Sequence, residues 1–159
     1  DIANSNGANH SIGANVAQSQ YTPSGVAAIL KLDEADLTNG VSLEIDGRIL
    51  VSHAGTYNLQ FSAQGICSDN APNDVAIWFT LNGVAVPKSN SIVTIPAIHG
   101  SVPGQAIIGA INIFLTLSAG DIVGLQWTTI QGNGVISSYA PLSGAPSSPG
   151  VIFTINQIA

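Results

Sequence analysis

The sequence predicts an all-β domain, a sandwich or barrel of about ten strands. Short runs rich in Val, Ile, Phe and Tyr recur about every 8–12 residues along the chain. Turn signals such as Asn39-Gly40, Asp46-Gly47 and Asn82-Gly83 stand between them. No segment repeats its apolar residues at helical spacing. No internal repeat is visible either, which argues against a propeller or solenoid.

Residues 1–13, rich in Asn, Ser and Gly, read as an extended arm or linker ahead of a single domain over 14–159. Residues 14–19 are a candidate first strand, ended by the turn cluster at 21–25. A second strand covers 26–32, followed by the acidic stretch Asp33-Glu34-Ala35-Asp36. Residues 41–45 alternate, with Val41, Leu43 and Ile45 inward, and Asp46-Gly47 turns the chain into 48–51 as a hairpin. Residues 55–64 show the clearest alternation: Tyr57, Leu59, Phe61 and Ala63 face one way, and Thr56, Asn58, Gln60, Ser62 and Gln64 the other. Residues 74–81 place Val75, Ile77, Phe79 and Leu81 on one side and Trp78 on the other. Asn82-Gly83 then makes a two-residue hairpin into 84–86. Pro87 limits the next strand to an edge or a short piece, and 91–95 is a short strand.

Residues 104–129 are the most unusual stretch. They read as two strands joined by a tight turn at Ser118-Ala119-Gly120-Asp121, an apolar hairpin whose first strand is greasy on both faces and carries no charge. A half-buried strand alternates apolar with polar; this one demands burial on both sides, in a sandwich or against another subunit. A further strand covers 135–140, then comes the loop 141–150 with three prolines, and 151–158 closes the chain with Val151, Phe153 and Ile155 on one face.

Composition narrows the function classes. Only 8% of residues are charged, against roughly 25% in an ordinary soluble protein, so partners are expected to cover much of the surface. The net charge is −6, and Lys31, Arg48 and Lys88 are the only basic side chains. Nucleic-acid binding by charge and binding to anionic membranes are both disfavoured. No apolar run reaches membrane-spanning length. The lone Cys67 has no intrachain disulfide partner and reads as a small buried hydrophobe. The chain begins at Asp1 and has no Met, so a processed chain or part of a longer one is expected.

Four pieces together resemble a known pattern: Ala54-Gly55-Thr56-Tyr57-Asn58-Leu59-Gln60-Phe61-Ser62; Asp74 through Trp78 to Asn82-Gly83; Ser118-Ala119-Gly120-Asp121 through to Trp127; and Pro149-Gly150-Val151-Ile152-Phe153-Thr154-Ile155-Asn156-Gln157-Ile158. Their order resembles the jelly-roll domains of the complement-globular-head and tumour-necrosis-factor superfamily. The form with an internal Trp looks most like domains in virion proteins of tailed phages, although Pro149-Gly150 departs from that pattern's Pro-Ser. The resemblance covers roughly residues 14–158 and implies a ten-stranded jelly roll, assembled as a homotrimer, that binds and builds rather than catalyses, with no cofactor. On that view Ile107, Ile111, Ile113 and Leu115 line the sandwich core. Ala106, Ile108, Ala110, Asn112 and Phe114 then turn to the three-fold axis.

Sites for chemistry are sparse. His10, His53 and His99 are scattered over an arm, a strand end and a loop, where exposed histidines are ordinary. Asp69, Asn70, Asn73 and Asp74 gather oxygens without the spacing of a known calcium loop. Asp33, Glu34, Asp36, Glu44 and Asp46 read as a solvated cluster rather than a glycosidase pair, and no nucleophile elbow is present. Trp78 and Trp127 are candidates for a sugar platform, but both lie in alternating strands, which favours core or interface packing. The Asn-Gly pairs at 6, 39, 82 and 133 read as turn chemistry.

The expectation is therefore a structural virion protein on the outer surface of a capsid or tail, as decoration, fibre or knob, contacting other virion proteins. The alternative is a head that recognises a host receptor or cell-surface glycan through the loops at 68–73, 98–104 and 141–150, with Asp69, Asn70, Asn73, His99, Ser143 and Ser147 as candidate contacts. An enzyme would need a convergent acid–base pair in a cleft.

Overall fold

The computed structural model describes residues 7–11, 20–139 and 143–159, and side chains from residue 20 onward except 37 and 105–110. Its described residues form an all-β sandwich of two antiparallel sheets without a helix.

The first sheet runs in the order β11(Gly104–Leu117), β7(Gly55–Cys67), β14(Val151–Gln157), β1(Gly7–Ser11), β4(Glu34–Thr38). The second runs β10(Ser91–Ile95), β8(Asn73–Leu81), β12(Ile122–Thr129), β6(Ile49–Val51), β5(Val41–Leu43). Four short pieces complete them: β2(Gln20–Tyr21) and β13(Val135–Ile136) on the first, β3(Ala28–Leu30) and β9(Val84–Ala85) on the second.

Alternation decides what lies between the sheets. Tyr57, Leu59 and Phe61 of β7, Val75, Ile77 and Phe79 of β8, Trp127 of β12, and Phe153 and Ile155 of β14 are all at most 1% exposed. Each strand contributes every second residue, as a pleated sheet with one face on a core requires. Phe79 joins the layers: its ring centroid lies 5.3 Å from Phe61 and 5.7 Å from Phe153, both in the other sheet. Cys67 is buried at the end of β7, as expected of a small hydrophobe.

Several expectations are corrected. The stretch over 104–129 is not a hairpin. β11 pairs with β7 in the first sheet, whereas β12 pairs with β8, β3 and β6 in the second. The turn is as tight as expected, with the Asp121 N–H donating to the Ser118 carbonyl at 3.1 Å and the Ser118 N–H to Asp121 Oδ2 at 2.8 Å. It carries the chain from one sheet to the other. Residues 7–11, read as part of an arm, form a strand between β14 and β4. The acidic stretch, for which the residue pattern predicts no strand, runs directly into pairing as the strand Glu34–Thr38. Ile45, expected inward, is fully exposed at the tip of the β5–β6 hairpin, because the Gly47 N–H already closes a turn onto the Glu44 carbonyl at 2.9 Å. The candidate strand over 14–19 lies outside the described residues.

Other expectations hold. Asn82 and Gly83 both have positive φ, 51° and 81°, the paired left-handed geometry of a two-residue hairpin turn, and β8 pairs with β9 across them. Ile111, Ile113 and Leu115 are half-buried and pack against the core.

Candidate functional site

The strands of the sandwich bring three predicted loops to one end. β7 ends there at Cys67, β8 begins at Asn73, β11 begins at Gly104 and β14 begins at Val151. Residues 68–72 meet residues 96–103 where the Ile98 N–H donates to the Asp69 carbonyl at 2.9 Å. They meet 130–134 through Asp69 itself. Its Oδ2 accepts from Asn73 Nδ2 at 3.1 Å and from the Asn133 N–H at 2.8 Å, and its Oδ1 accepts from Asn133 Nδ2 at 3.3 Å. Those amides hold the Asp69 carboxyl below its usual range, with the Asn73 hydrogen bond the largest cause. Asp69 is therefore ionised at neutral pH and acts as an acceptor that pins loops.

Asn73 is 1% exposed and also donates to Cys67 Sγ at 3.0 Å. Gly132 is required beside it. Its φ is +76°, and a Cβ there would stand 1.4 Å from Asn73 Oδ1. Next door, Asp74 Oδ1 accepts from the Thr94 hydroxyl at 2.5 Å, and Oδ2 from Gln131 Nε2 at 3.4 Å. Asp69, Ala71, Pro72, Asn73, Asp74, Thr94, Gln131 and Gly132 line an open cleft of about 440 Å³. It offers carboxylate and amide oxygens to a ligand that carries donors.

The remaining candidate contacts do not gather in that cleft. Asn70, His99 and Ser143 are exposed, and Ser147 is half-buried. The His99 backbone forms a bridge with Val102, and Ser143 has a left-handed φ of 51°. Among the described residues, no three His, Cys, Asp and Glu side chains form a group that could hold a metal ion. Asp46 pairs with Arg48, which keeps the carboxyl below its usual range.

The expected subunit face divides at a register shift. Asn112 and Phe114 are exposed on the outer side of the first sheet, opposite Gln60 and Asn58 of β7, and Phe114 is 60% exposed. The side chains of Ala106, Ile108 and Ala110 lie outside the described residues. In the backbone register, Ala106 stands opposite Gly65 and Ile108 opposite the core residue Ala63, and the register shifts between Ile108 and Ile111. A two-residue count carried from 106 to 114 therefore does not hold across the shift.

The two tryptophans part company. Trp127 is 1% exposed in the core, while Trp78 is half-buried on the outer side of the second sheet. Sequence reasoning also passed over Gln131 and Asn133. The Asn133-Gly134 pair reads as a turn signal, and nothing in it announces that Asn133 would hold Asp69, 64 positions away. No family model matches the chain, and no curated protein matches it.

Proposed function

We propose that the chain is a structural virion protein of a tailed phage, a homotrimeric jelly-roll module on the outer surface of a capsid or tail, where it serves as decoration, fibre or knob. The reading rests on the motif resemblance. One structural observation supports it most: the outer side of the first sheet bears no charge across β11, β7 and β14, at Thr56, Asn58, Gln60, Ser62, Asn112, Phe114, Thr116, Ile152, Thr154 and Asn156, with the acidic Glu34 in register with that side only at the β4 edge. Phe114 and Ile152 are 60% and 43% exposed on it, and Asn58 Oδ1 is buried there without a hydrogen-bond partner. A sheet face of this kind suits closure by identical neighbours. Light scattering after size-exclusion chromatography should give three times the 16.2 kDa protomer mass, and Phe114→Asp should reduce it to one. A wild-type monomer overturns the trimer; an unchanged Phe114→Asp trimer overturns the face. Antibody labelling of particles by cryo-EM tests the virion position.

A second reading, a glycan-binding head, is favoured by the open cleft beside Asp69 and Asp74 and by the outward placement of Trp78. The two readings use different sides of the sandwich and are compatible.

A further inference from the structure

The outer side of the second sheet carries a strip that neither the core nor the subunit face uses. On β8, Asp74, Ala76, Trp78 and Thr80 share this side, since Val75, Ile77 and Phe79 fill the core; Ala76 and Thr80 are themselves covered, 5% and 2% exposed, so Asp74 and Trp78 are the half-open members. Pairing lays Thr94 beside Asp74 and Ile92 beside Ala76 on β10, and Thr128 beside Ala76 and Gln126 beside Trp78 on β12. The row continues to Ile29 of β3, opposite Gln126. Asp74 and Thr94 are also walls of the cleft, so cleft and indole lie along one line. Four residue steps along the strand lead from Asp74 to Trp78, about 13 Å at about 3.3 Å per step, the span of a short oligosaccharide.

Two features of the strip lack a structural use. Among the described residues, neither the Trp78 indole N–H nor the Gln126 side-chain amide has a hydrogen-bond partner in the chain, and neither is a buried unsatisfied group, so both reach solvent. Ile92 is 59% exposed beside them. An indole that is half-open, flanked by a free amide and a threonine, presents an apolar ring with donors and acceptors at its rim. That combination matches a pyranose, which has an apolar face and equatorial hydroxyls. Charge completes the choice. The cleft end holds the carboxylates of Asp69 and Asp74 and no cation among its lining residues. Arg48 on this side has its stem over Gly124 beyond Trp78 and is paired with Asp46, and Lys88 precedes the segment in which Ser89 bonds the Phe79 backbone at the edge of the sheet. Such a strip accepts hydrogen bonds from hydroxyls and repels carboxylated or sulfated sugars.

We propose that a neutral oligosaccharide binds along β8, one ring stacked on Trp78 and the next rings reaching the Asp74–Thr94 end of the cleft. This deepens the glycan-binding reading and rests on it.

The test is a titration of the full chain with maltotriose, cellotriose, chitotriose and, as the acidic arm, trigalacturonic acid, followed by tryptophan fluorescence and calorimetry. Buried Trp127 supplies a constant background. At least one neutral trisaccharide should shift the emission saturably, and trigalacturonic acid should bind at least tenfold more weakly. Trp78→Ala should weaken the neutral sugar more than tenfold, and Gln126→Ala, a milder change to a half-buried side chain, severalfold. Asp74→Asn should narrow the gap between the neutral and acidic sugars. Thermal melts confirm that each variant is folded; if Trp78→Ala does not fold, Trp78→Phe and Gln126→Ala decide. Neutral-sugar binding unchanged by these variants overturns this site and leaves the glycan-binding reading standing. Equal binding of the acidic sugar overturns the charge assignment and with it the proposed occupant. No binding of any trisaccharide by wild type overturns both.

Discussion

Replacing Phe79 by Ala tests the central claim about what holds the two sheets together. Phe79 is completely buried and is the aromatic of β8 that meets both Phe61 and Phe153 of the opposite sheet. Truncating a buried Phe costs roughly 3–5 kcal/mol through lost transfer energy and the cavity left behind. The site sits at the upper part of that range for two reasons. The edge-on geometry with Phe61, at 68° between ring planes, is a favourable aromatic pair, and such pairs add about 0.5–1.5 kcal/mol each beyond area. The walls are strands hydrogen-bonded on both sides, so the cavity cannot collapse easily. A loss near 4–5 kcal/mol is a large part of the roughly 5–15 kcal/mol that stabilises a domain. Urea unfolding followed by the buried Trp127, at one fixed protein concentration so that any association is held constant, should lower the midpoint sharply with little change in slope. A loss below about 1.5 kcal/mol, the level of a simple methylene deletion, would refute Phe79 as the bridge between layers.

The remaining predictions concern the turns and the cleft. Asp69 and Asp121 both have carboxyls held below their ordinary range, the first by Asn73 and Asn133 and the second by Asn82 and Ser118. A depressed folded pKa contributes stability that is present above the unfolded value of about 3.9 and is lost as pH falls through the folded value. Melting temperature should therefore drop below about pH 4, and Asp69→Asn should flatten part of that drop; an acid limb unchanged in both Asp69→Asn and Asp121→Asn would contradict it. Gly132→Ala should cost about 1–3 kcal/mol, since it forces a side chain into a left-handed φ and against Asn73; chemical denaturation reads the loss, and a neutral result would show that Asn73 is not fixed there. Asn82→Ala should cost about 1–2 kcal/mol and Asn82→Gly less, because Asn82 has positive φ and its side chain also bonds Asp121 and the Ile122 N–H; equal costs would place the whole effect in the side-chain bonds.

Much of the sandwich was legible because β7, β8 and β14 each give every second residue to the core. In each, the pleat writes its period directly into the residue order, as in Tyr57, Leu59, Phe61. What was not legible has physical causes. The turn at 118–121 announces that the chain reverses but not which sheet receives it, so β11 and β12 looked like hairpin partners. Gly7–Ser11 and Glu34–Thr38 pair through backbone groups, which any side chain allows, and their Asn, Ser, Asp and Glu carry no strand signature. Ile45 continued a period that the turn at 44–47 had already ended. The register shift in β11 falls at Gly109-Ala110, where a glycine inside a strand is the bulge signal that a two-residue count carried from 106 to 114 passes over. The cleft was half legible: Asp69, Asn73 and Asp74 stood out as an oxygen-rich loop, whereas Gln131 lines it and Asn133 bonds Asp69 only because β12 runs antiparallel beside β8 and ends where β8 begins.

That antiparallel arrangement also separates the two proposed surfaces. Phe114 and Trp78 lie on opposite sides of the sandwich, on strands of different sheets, with the Phe61–Phe79–Phe153 core between them. A substitution at one has no shared contact through which to reach the other, and distant independent sites add within a few tenths of a kcal/mol. Phe114→Asp should therefore change assembly while each protomer keeps its intrinsic sugar affinity, and Trp78→Ala should change sugar affinity while the trimer persists. In a trimer the three strips would face outward together. Immobilised glycan should then bind wild type more tightly than Phe114→Asp through multivalency alone, with the same affinity for free trisaccharide. If free-sugar affinity fell together with assembly, the strip would have to cross between subunits, and the assignment of the two faces would be wrong.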